Sequence, residues 1–70
     1  MKTLTDKQKD ILALIRRFRQ AKGYSPTMTD IAQAMDTRRE NVYQHCTRMK
    51  KKGVITWEDG LHGTLRLTNE

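Results

Sequence analysis

A mainly α fold, three helices closed by a small β-hairpin, is predicted by three observations. Three threonines each stand three residues before a side chain able to return a hydrogen bond, in Thr5-Asp6-Lys7-Gln8, Thr27-Met28-Thr29-Asp30 and Thr37-Arg38-Arg39-Glu40. Each of these precedes apolar residues at helical spacing. Near the end of the chain, two short runs of strand-forming residues enclose Asp59-Gly60, a hairpin turn signal.

The first helix is expected over about residues 6–22. Ile11, Leu14, Ile15 and Phe18 recur on one face with Leu12 beside them, and Lys9, Arg16, Arg17 and Arg19 fill the rest. Thr5 and Gln8 form a capping box at its start, and Gly23 is the expected stop. Tyr24-Ser25-Pro26 reads as a short extended segment, because a residue before proline is pushed out of the helical region. The second helix, about 28–35, is capped by Thr27 with Asp30 as a shorter substitute for Glu or Gln, and its apolar face is Ile31, Ala32 and Met35. The third, about 38–52, is capped by Thr37 with Glu40; Val42, Cys46 and Met49 fall at i, i+4 and i+7, and Gly53 ends it. Val54-Ile55-Thr56-Trp57 and Thr64-Leu65-Arg66-Leu67 then pair as a hairpin over about 54–67, and Gly63 implies a loop longer than two residues.

Seventy residues make one small domain, 1–70, with no repeat or linker. A chain this short leaves roughly 40% of its unfolded surface exposed, so a deep substrate cavity is not expected. No paired carboxylates, phosphate-binding glycine loop or metal-ligand set supports an enzyme, and no cofactor is implied. Ser25 is the only serine, and it sits beside proline with no base to orient it. His45 and His62 are the only histidines and Cys46 the only cysteine, which argues against a zinc site. Cys46 lies on the apolar stripe and reads as a small core residue, His45 as a packed rim residue or a phosphate contact. Met28, Met35 and Met49 read as core filling, and Trp57 as a hairpin or core anchor. The first twenty residues hold no continuous apolar run, so no membrane partner is expected and a cytoplasmic location is.

The net charge of +6 favours a polyanionic partner, and it is unevenly placed. Between Arg38 and Lys52 stand six basic residues and one acid, a local charge of +5, so most of the excess lies on the third helix. A short helix, a tight turn, a longer basic helix and a hairpin make a winged helix-turn-helix, which sets side chains of its third helix into the major groove of double-stranded DNA. Reading helices offer their first turns to the bases, so Arg38, Arg39, Glu40, Tyr43 and Gln44 are the candidates for sequence readout, with Thr47 at the groove edge. Arg48, Lys50 and Lys51 are expected to meet phosphates. Thr27 and Thr29, at the start of the second helix, offer another phosphate position.

Several of these segments resemble the N-terminal DNA-binding domain of the LexA repressor family. The likeness runs through Met1-Lys2-Thr3-Leu4-Thr5, Leu14-Ile15-Arg16, Pro26-Thr27, Ile31-Ala32-Gln33, Lys52-Gly53-Val54-Ile55 and Leu65-Arg66-Leu67. Ile-Ala with a later Lys-Gly-Val-Ile is shared with other winged-helix regulators, including the MarR and ArsR types. The resemblance implies that Asn41, Tyr43 and Gln44 sit where the family contacts bases, and that the protein is a bacterial or phage repressor occupying an operator. This sequence departs from the family in the turn between the second and third helices, one residue shorter, and in the acidic wing residues Glu58 and Asp59. It also stops where LexA proteins begin a linker and a self-cleaving peptidase domain that supplies most of their dimerisation. A weak homodimer, a monomer, a dimer formed on DNA, a piece of a longer protein and a protein partner bound through the wing all stay open. An adaptor or antirepressor that binds protein is the alternative function.

Overall fold

The computed structural model describes residues 4–58 and 64–68. Three helices, α1 (Asp6–Lys22), α2 (Met28–Ala34) and α3 (Arg39–Lys51), precede two short strands, β1 (Ile55–Thr56) and β2 (Arg66–Leu67). This is the expected three-helix winged helix-turn-helix, with helix ends within a residue of those read from the sequence. The turn residues Asp59, Gly60 and Gly63 lie outside the described residues.

α1 begins where its capping box begins. The Gln8 amide donates to Thr5 Oγ1 at 3.2 Å, and the Thr5 amide donates to Gln8 Oε1 at 3.2 Å, so two orphan donors are satisfied reciprocally. Asp6 in the first turn and Arg19 and Lys22 in the last complement the helix dipole. Ile11 and Ile15 are fully buried, and Leu12 and Leu14 are half-buried against the same core. Gly23 then adopts φ 79°, and its amide donates to Arg19 O at 2.9 Å. Beyond it Ser25 and Pro26 are buried, and Tyr24 meets Phe18 edge to face at 5.5 Å.

α2 is capped as predicted: the Asp30 amide donates to Thr27 Oγ1 at 3.1 Å and the Thr27 amide to Asp30 Oδ2 at 3.0 Å. Its C-terminal end dictates the turn into α3. The Thr37 amide donates to Ala32 O (2.9 Å) and the Asp36 amide to Gln33 O (3.3 Å), the paired bonds of a Schellman motif with Asp36 at φ 53° in the position that usually belongs to glycine.

This turn overturns the third predicted cap. Arg38, not Thr37, is the N-cap of α3, and no side chain caps it. Thr37 is already committed to closing α2, and its hydroxyl accepts instead from Asn41 Nδ2 at 3.1 Å. With only Met35 to Arg38 between the helices, one residue cannot both end α2 and start α3.

Val42, Cys46 and Met49 bury the inner stripe of α3. A second Schellman pair closes it, from the Gly53 amide to Lys50 O (3.0 Å) and the Val54 amide to Met49 O (3.1 Å), with Gly53 at φ 77°. The strands pair antiparallel, Ile55 with Leu67 and Thr56 with Arg66. Ile55 and Leu67 point inward and are buried, whereas Arg66 is exposed, the alternation a half-buried strand requires. The ladder is two residues long rather than four. Past Thr56 the Glu58 amide donates to the Thr64 hydroxyl (2.9 Å), a side-chain substitute for a ladder bond.

Candidate nucleic-acid interface

α3 packs against α1, α2 and β1, so its inner face is fixed from three sides. Opposite the buried stripe, at about 100° per residue, stand Glu40, Gln44 and Lys51. All three are exposed, as are Arg48 and the first-turn residues Arg38 and Arg39. Tyr43 and Lys50 lie on the flank that faces the wing, and Asn41 and His45 on the flank that faces the α2–α3 turn. The predicted base-reading residues thus share one helix but occupy three different settings.

The centre of the face is chemically varied. Gln44 and Glu40 carry hydrogen-bonding groups of the kind that pair with base edges, and Arg39 precedes Glu40 at the helix start. Thr47 is half-buried, and its hydroxyl donates to Tyr43 O at 2.8 Å, which leaves oxygen lone pairs and a methyl group for a partner. Asn41 spends one amide hydrogen on Thr37 and keeps its carbonyl oxygen and a second hydrogen.

Electrostatics separates the two ends of the helix. Arg48, Lys50 and Lys51 occupy the last turn, where cations are favoured by the helix dipole, so helix stability alone accounts for them. Arg38 and Arg39 occupy the N-terminal end, where the dipole disfavours them and Glu40 is the acid of that first turn. Helix stability therefore does not account for these two exposed arginines.

The wing side holds an arrangement that the sequence did not reveal. Lys50 Nζ lies 4.4 Å from the centroid of the Trp57 ring and donates to Trp57 O at 3.1 Å. Tyr43, 45% exposed, meets Trp57 at 6.2 Å between centroids with the rings 65° apart. Lys50, a candidate phosphate contact, thus directs one of its three donors to the wing. The available signal was the spacing of Tyr43, Thr47 and Lys50 at i, i+4 and i+7, a second stripe beside the apolar one.

At the start of α2, Thr29 is exposed, while Thr27 is half-buried with its hydroxyl and amide both engaged by Asp30, whose carboxylate weakens the attraction of that helix start for phosphate. Cys46 is fully buried, and burial pushes its thiol up to about 12, in agreement with an inert core residue. His45 is half-buried beside a shallow groove of about 210 Å³ that also touches Lys7, Met35, Asn41 and Gln44, and its Nδ1 has no hydrogen-bond partner among the described residues. Among the described residues no group of three His, Cys, Asp or Glu could hold a metal, and no helix is long and apolar enough to cross a membrane.

Two clamps, also missed, hold the face in place. Arg19 Nη1 donates to Ser25 Oγ at 3.0 Å and approaches Leu65 O at 3.5 Å, tying α1 to the segment before α2 and to the wing. Lys52 Nζ donates to Gln8 Oε1 at 3.4 Å, tying the end of α3 to the start of α1. Gln8 is buried although polar, because its amide serves both the cap and this bond.

Comparison with known proteins agrees with this geometry. The family model of the LexA DNA binding domain matches residues 1–62. A LexA repressor of Halorhodospira halophila is 40% identical over 70 residues, 99% of this chain and 31% of that protein. LexA repressors of Thermosipho melanesiensis (39% over 56 residues, 80% of this chain and 28% of that protein) and Thermotoga neapolitana (32% over 68 residues, 97% and 34%) are similar as well. The chain therefore spans about a third of the length of these curated relatives. With three helices, a hairpin and a basic outward face in the expected places, the chain belongs to the LexA DNA-binding domain family.

Proposed function

We propose that the exposed face of α3 binds double-stranded DNA sequence-specifically and that the protein acts as a cytoplasmic repressor by occupying an operator. The observation that carries this reading is the pair Arg38 and Arg39 at a helix end where their charge costs stability, on the same helix start as the exposed Glu40 and followed by the exposed Gln44. The relatives are named repressors, which supports the regulatory part.

Selection of bound duplexes from a random pool, with mobility shift on the recovered sites, tests the proposal. Gln44→Ala and Arg39→Ala are expected to relax base preference, each costing about 1–3 kcal/mol against the selected site. Lys51→Ala is expected to weaken binding to all duplexes alike and to lower the salt slope by about one unit. Absence of binding to any duplex at low salt would sink the reading. A selected site with two half-sites about one helical turn apart would establish a dimer on DNA, and a single half-site a monomer. An exposed acid on the wing, Glu58, favours a protein rather than a phosphate at that edge. A stoichiometric protein partner, with DNA binding wholly nonspecific, would put an adaptor in place of the repressor.

A further inference from the structure

In the wing, Trp57 carries a side chain that reaches the flank of α3 formed by Tyr43 and Lys50. Part of the indole packs on the core, which fixes it. Tyr43 lies against its edge at one end of the Tyr43–Thr47–Lys50 stripe, and the Lys50 ammonium lies over its face at the other. Lys50 also grips the Trp57 carbonyl, so the contact binds both the side chain and the backbone of the wing. An exposed tyrosine on a helix samples several rotamers. One whose ring abuts a fixed indole keeps fewer, and its hydroxyl is delivered to a defined place.

We propose that Trp57 is a specificity-determining positioning residue: held by Lys50, it orients Tyr43 and thereby sets the base preference of the reading helix at the position Tyr43 faces. This rests on the reading of α3 as the DNA-reading helix. Trp57 itself need not touch DNA. Its effect is transmitted through the ring contact with Tyr43, and Lys50 belongs to the same unit rather than to the set of phosphate contacts.

The test compares sequences selected from a random duplex pool by the wild type, Tyr43→Leu, Trp57→Leu, Lys50→Met and the Tyr43→Leu/Trp57→Leu double variant. Tyr43→Leu is expected to change preference at one or two adjacent base positions. Trp57→Leu is expected to change the same positions, with about a tenfold loss on the wild-type site, while affinity for unrelated duplex stays within about twofold. The double variant is expected to match Tyr43→Leu alone, because residues acting as one unit are not additive. Lys50→Met lies on an exposed helical position and gives a readout should Trp57→Leu fail to fold; it too is expected to alter those positions. A uniform loss on every duplex with a lowered melting temperature would mean a merely structural tryptophan and would overturn the proposal. So would unchanged preference in Trp57→Leu, or in Lys50→Met where Trp57→Leu does not fold. If the wild type itself selects no sequence, the DNA-reading function fails first, and the proposal fails with it.

Discussion

Three threonines with the same spacing meet three different demands, and the difference is measurable. Thr5 and Thr27 each accept an amide hydrogen bond that nothing else supplies, so Thr5→Ala and Thr27→Ala are expected to lower stability by about 1 kcal/mol apiece. Thr37 caps nothing and accepts only from an exposed asparagine, so Thr37→Ala is expected to cost less than half as much. Urea midpoints of the three variants decide between these values. Cys46 gives a pH signature of the opposite kind from an ion pair. Its folded thiol titrates near 12 against 9.0 when unfolded, so its contribution is complete below pH 9.0 and is lost as pH climbs from there toward about 12. Denaturation midpoints are expected to fall across that window, and Cys46→Ala to flatten part of the fall. At this scale the apolar positions were legible because helical spacing alone identifies them. The bonds of Lys52 to Gln8 and of Arg19 to Ser25 and Leu65 were not, because periodicity carries no information about partners on other elements.

Among the elements, the turn between α2 and α3 matters most, since it sets the angle at which α3 leaves the scaffold. Asp36 holds φ 53° there, a conformation that an aspartate tolerates and a glycine adopts freely. Asp36→Gly is expected to be neutral or to stabilise by up to about 1 kcal/mol, whereas Asp36→Val, β-branched at positive φ, is expected to destabilise by more than about 1 kcal/mol. Gly53→Ala meets the same constraint at φ 77° and is expected to cost about 1 kcal/mol. Thermal melts of the three variants check the order. Gly23 and Gly53 announced their turns in the sequence because glycine is the usual residue in the left-handed region. Asp36 did not, and the close of α2 took Thr37 away from α3. The strands were legible in place but not in length: Val54 and Trp57 are strand formers by type, yet the ladder stops at Thr56, and Lys50 takes the Trp57 carbonyl.

As a whole molecule, the domain is a helical core tied by two long-range side-chain bonds. Lys52 joins the close of α3 to the start of α1, and Arg19 joins α1 to the wing. Arg19→Met is expected to lower stability by about 2 kcal/mol and to expose β1 and β2 amides to hydrogen exchange before those of α1 and α3, since this bond adds to the short ladder and the buried Ile55 and Leu67 in holding the strands. Exchange that is uniform across the domain would count against that tie. How the surface is built was legible in outline, because charge and periodicity place α3 and its basic excess; how the wing grips α3 was not, because an aromatic contact between residues fourteen positions apart leaves no periodic trace. That grip has an optical consequence. Trp57 is the only tryptophan in the chain, and its indole lies against a tyrosine ring and an ammonium group, so its emission responds to both of these neighbours. Anything that draws Lys50 or Tyr43 away from the wing changes the colour and yield of that light, and the joint between wing and helix can be watched in the unlabelled protein as a partner arrives.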